Sequence, residues 1–102
     1  MTETQLNIRY DSEADVLYVD LGIEELSVSD EISEDLIVDV GLHSGVLTGF
    51  RILSPHRKGL TIQIIMQKML PKVRRVMEER CKKLLEPLNR KEELRKALAQ
   101  VL

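Results

Sequence analysis

Cysteine, tryptophan and, over its first half, positive charge are what this sequence has least of. One cysteine, Cys81, in 102 residues cannot close an internal disulfide, so a reducing setting is expected, the cytoplasm. There is no tryptophan, and both tyrosines and the one phenylalanine precede Ser54. Stacking of nucleic-acid bases on aromatic rings is therefore excluded beyond that point. No apolar run approaches the roughly 20 residues that span a bilayer, so no membrane partner is expected. The opening MTETQLNIRYD has neither the basic start nor the apolar stretch of a signal peptide. Repeats and low-complexity tracts are absent.

What is there is a division of charge. Up to Ser54 only Arg9 and Arg51 are basic against twelve acidic residues, a charge of −10; from Pro55 onward thirteen basic residues face five acidic ones, a charge of +8. The whole chain shows only −2. Such an asymmetry marks an interaction surface, within the chain or with a partner. The length fits one domain, residues 1–102, made of a β unit at 6–54 and a basic helical region at 55–102.

The β unit is predicted from period-two alternation. Leu6, Ile8 and Tyr10 alternate with polar residues. The acidic corner Asp11–Asp15 turns the chain, and Leu17, Val19 and Leu21 then face one way. Leu26, Val28 and Ile32 mark a third strand that suits an edge. Leu36 to Val40 reads as a central strand. A glycine-bracketed turn leads to Val46–Leu53, with Val46, Phe50 and Ile52 on one face. Short connections favour an antiparallel meander of four or five strands.

After Ser54-Pro55, a short turn closed by Gly59, the period changes. Leu60 to Ile65 fits a strand or the start of a helix. Met66, Leu70, Val73, Met77, Cys81, Leu84 and Leu88 then step by three and four and form one helical stripe. Pro71 falls within it and predicts a bend or a break. Asn89 and Glu92 have capping-box spacing ahead of a last helix, with Leu94, Ala97, Leu98, Val101 and Leu102 on its apolar face. The fold class is α+β: the sheet, then two or three amphipathic helices.

The run Ile8-Arg9-Tyr10-Asp11-Ser12-Glu13-Ala14-Asp15-Val16-Leu17-Tyr18-Val19-Asp20-Leu21 resembles the opening of domain-of-unknown-function family 2283. Leu36 to Leu53 resembles its second hairpin, with Gly49-Phe50-Arg51-Ile52-Leu53 where the family usually ends Gly-Ile-Glu-Ile-Leu. The turn Leu42-His43-Ser44-Gly45 departs from the family's acidic Asp-Gly turn, and the helices are not accounted for. The resemblance implies a compact bacterial or archaeal sheet protein, in some members the antitoxin opposite a small toxin-like protein. It carries no catalytic residues.

Several constellations invite chemistry and are outweighed. Asp11, Glu13 and Asp15 could ligate a hard cation, but a self-capping corner explains them as well. Tyr10 and Tyr18 suit packing with a wet hydroxyl. His43, His56 and Cys81 could form a nucleophile pair, yet a cysteine on an apolar stripe is usually a small buried hydrophobe. No enzyme, catalytic residue, cofactor or metal is expected. The expected function is a small protein-binding module, antitoxin-like, in which Met66, Leu70, Val73, Met77 and Leu84 meet a partner or a second copy in a homodimer. The alternative is a nucleic-acid-associated protein using Lys68, Lys72, Arg75 and Lys82.

Overall fold

The structure, a computed structural model, describes residues 6–79 and 91–102. Five strands, β1 (Asn7–Asp11), β2 (Val16–Asp20), β3 (Ser27–Ser33), β4 (Leu36–Gly41) and β5 (Leu47–Leu53), form one antiparallel sheet in the order β1-β2-β5-β4-β3. The β3-β4-β5 run is a meander, as the short turns predict. The β1–β2 hairpin then joins it through β2 against β5, not through β3. The middle strand is thus β5, with β4 beside it. Residues 21–26 cross the end of the sheet to reach β3, held where the Leu21 N–H meets the Thr48 carbonyl at 3.0 Å and the Leu42 N–H meets that of Leu26 at 2.8 Å.

Alternation fails at one point in β5. A bulge against Asp39 and Val40 makes Thr48 an extra residue, its hydroxyl donating to the Asp39 carbonyl at 3.1 Å. Leu47 is therefore buried and Val46 only half-buried, where the sequence predicts Val46 inside.

One face of the sheet carries Leu17, Val19, Leu36, Val38, Phe50 and Ile52 into the core. Helix α1 covers it. It spans residues 62–79 as an α-helical turn (Ile62–Ile64), a π-helical stretch (Ile65–Met69) and an α-helix (Leu70–Glu79). Thr61 caps its start, accepting the Ile64 N–H at 3.2 Å. Leu60 to Ile65 thus resolves as a cap and a first helical turn. Pro71 neither breaks nor restarts the helix. The turn ahead of it is widened, with the Leu70 N–H reaching back five residues to the Ile65 carbonyl, and the helix continues through the proline, whose own nitrogen donates no bond.

The partner surface expected on this helix is core. Met66, Leu70, Val73 and Met77 are all buried, and the extra π-turn residue brings Ile65 and Met69 in beside them. Leu84 lies outside the described residues, as do Cys81, Lys82, Leu88 and the cap at Asn89. Helix α2 (Lys91–Val101) packs along β1 and buries Leu94 and Leu98.

Candidate protein-binding edge

The acidic corner is bonded within the fold. The Asp11 carboxylate accepts the N–H groups of Glu13 and Ala14 at 3.0 and 3.2 Å. Asp15 adopts a left-handed φ of 53° and is buried. Its carboxylate accepts the Tyr10 hydroxyl at 2.7 Å and the N–H groups of His56 and Arg57 at 3.1 and 2.9 Å. Its carbonyl takes the Ser54 N–H at 2.7 Å. Burial pushes this carboxyl up, but the Tyr10 bond and the two backbone bonds outweigh it and hold it below the ordinary aspartate range. The corner is thereby latched to the Ser54–Gly59 turn that launches α1. No three carboxylate, histidine or cysteine side chains among the described residues group to hold a metal. His43 and His56 are both exposed.

Among the described residues, concavities lie on the sheet. The first, about 340 Å³, is on the face away from the helices, among Arg9, Tyr18, Asp20, Asp39, Gly49 and Arg51. Much of its charge is already paired. The Arg51 Nη2 donates to Asp39 Oδ1 at 3.0 Å and to the Ser29 hydroxyl at 2.7 Å, and that hydroxyl donates to the same Asp39 oxygen at 2.8 Å. Arg9 lies over the Tyr18 ring, 4.4 Å from its centre. Gly49 forms the floor because a Cβ there would come within 2.6 Å of the Val19 carbonyl.

The second, about 450 Å³, runs beside the edge strand β3 and is lined by Val28, Asp30, Val40, Leu42 and His43. Large apolar side chains face water in and near it: Leu42, 57% exposed, and Val28, 54%, line it, and Leu26, 75% exposed, lies just ahead of β3. The backbone bond between Leu42 and Leu26 brings two of them together, and Val28 sits against Val40 across the β3–β4 pair. The Glu25 carboxylate accepts the Ser44 hydroxyl at 2.7 Å and fixes the crossing segment to the β4–β5 turn, over Gly41. The outer side of β3 pairs with no described strand.

These residues escape sequence reasoning for separable reasons. Leu26 and Val28 have the alternation of a core-facing strand, and only their position beyond the reach of the helices exposes them. Leu42 sits in a turn and is read there as punctuation. The basic residues singled out lie elsewhere. Lys68 and Arg75 are exposed on α1, whereas Lys72 is half-buried. The Ser33 hydroxyl holds the Asp35 carboxyl below its ordinary range against the opposing pull of burial, with Lys58 and Lys72 adding to the effect.

Residues 7–54 match the family model DUF2283, described as a protein of unknown function, and the helices at 62–101 lie beyond the match. No curated protein and no solved structure matches the chain.

Proposed function

Taking residues 7–54 as a DUF2283 segment with a helical extension, we propose that the chain is a protein-binding module whose partner docks at the β3 edge. The observation that carries this reading is the cluster Leu26, Val28 and Leu42, exposed together beside an unpaired strand. Large apolar side chains exposed beside a free strand edge are what protein interfaces cover. The specific form of the proposal is antitoxin-like, with a small toxin-like protein as partner; its support is the family resemblance alone. The helices serve the partner indirectly, by fixing the sheet.

The test replaces Leu26, Val28 and Leu42 with serine and asks for the complex. The tagged chain is expressed in its host with a photo-crosslinking residue at His43, and the adjacent reading frame's product is probed directly. The expected result is a crosslinked partner that the triple variant loses while its far-UV circular dichroism is unchanged. A partner retained by the triple variant, or recovery of the chain alone, overturns the reading.

A second reading, nucleic acid held by Lys68 and Arg75, is favoured by their exposure on α1. It requires a DNA or RNA shift at low salt that weakens steeply as salt is added. Absence of any shift removes it.

A further inference from the structure

We propose that β3 accepts a basic, partly apolar segment of the partner as a sixth, antiparallel strand; this rests on the docking surface described above. Three observations converge. The first is backbone. An edge strand presents alternate N–H and C=O groups to solvent, and those of β3 form a template for another chain. The other edge of the sheet, β1, is packed by α2. The β3–β4 register is unbroken from Ser27 to Glu31 and shifts between Glu31 and Ser33. The addable stretch is therefore Ser27–Glu31, with Leu26 at its mouth.

The second observation is charge. Glu31 is exposed on β3 and Glu24 is exposed on the segment leading into it, within a half of the chain that carries −10. A second copy pairing over the same Ser27–Glu31 stretch would be centred on Ser29 and would add the acidic side chains of one edge to those of the other along the seam. The edge thus rejects itself and favours a strand of opposite sign. The third observation is apolar. Charge by itself is how exposed edges are protected from pairing, but protection does not call for Leu26, Val28 and Leu42 in water. Together these features specify a pattern. An incoming antiparallel strand carries Lys or Arg opposite Glu31 and a β-branched residue opposite Val28, three positions further on.

The experiment titrates the whole chain with a capped, fluorescent peptide, Thr-Lys-Lys-Thr-Val-Thr-Val, by anisotropy. Two controls are the same peptide with glutamate for lysine and the same peptide N-methylated at alternate amides in each of the two phases. Saturable binding is expected, weakened about tenfold or more by glutamate and abolished by one phase of N-methylation only. The Glu24→Lys/Glu31→Lys variant is expected to reverse the preference between the lysine and glutamate peptides. Binding indifferent to both N-methylation phases, preference unmoved by the charge reversal, or no binding at all overturns strand addition. The docking reading fails separately, on the serine triple variant and the native partner. A partner lost by that variant, together with a peptide that does not bind, would leave docking standing without strand addition.

Discussion

Asp15 shows how one side chain can hold two distant parts of a chain. Its carboxylate collects one hydroxyl and two backbone N–H groups, and two of these donors come from residues 41 and 42 positions away. Replacing it with alanine leaves those N–H groups without their acceptor and loosens the start of α1. We expect a loss of roughly 5–10 °C in Tm, read by thermal unfolding with the fold retained at low temperature. The pH dependence has a definite sign. The folded Asp15 titrates below its ordinary 3.8, so its contribution is complete above that value and is lost as the pH falls through the lower folded one. The Tyr10 hydroxyl is pushed the other way, chiefly by its bond to Asp15, above its ordinary 10.0. Its contribution is complete below that value and is lost as the pH rises through the raised one. Tyr10→Phe should therefore flatten the alkaline limb of the stability profile, measured by denaturant midpoint against pH. The self-capping of Asp11 was legible in the sequence, because its partners are two and three residues away. The role of Asp15 was not, because nothing local links it to His56 and Arg57.

At the scale of the element, α1 has an inner and an outer face of unequal consequence. Val73 and Met77 are fully buried, and Met77→Ala should cost about 2–5 kcal/mol by leaving a cavity under the sheet. Lys68→Glu, on the exposed side, should change stability by no more than about 0.5 kcal/mol. Chemical denaturation distinguishes the two directly. The stripe Met66, Leu70, Val73, Met77 was legible as a stripe, since three-and-four spacing needs only the helical period. Its target was not legible, because an apolar face looks the same whether its own sheet or a partner covers it. The π-helical turn was hidden for a related reason: the sequence announces Pro71 but not how the preceding turn absorbs it. The bulge at Thr48 is the strand counterpart, a single extra residue that moves Leu47 into the place alternation assigns to Val46.

For the whole molecule, the acidic character of the first half bears on what the exposed edge is expected to accept. Among the ion pairs of the described residues, Lys58–Glu34 at 3.0 Å joins the β unit to the region after it, and a partly exposed pair of this kind contributes little. The homodimer suggested by a free edge meets an obstacle at β3. Two copies approaching there would add the negative charge of one edge to that of the other, while Leu26, Val28 and Leu42 would favour the contact. Repulsion is expected to outweigh the apolar contact, so that the isolated chain stays monomeric through this edge at low salt. The Glu24→Gln/Glu31→Gln variant, which keeps side-chain volume and removes the charge, should then self-associate as its concentration rises. Sedimentation velocity reads this directly. Salt offers an independent control, because at about 0.5 M the screening length falls to roughly 4 Å and the original sequence should begin to behave like the neutralised one. A chain that dimerises equally well with and without these charges would show that β3 pairs with its own kind, and the preference for a basic strand would have no physical basis.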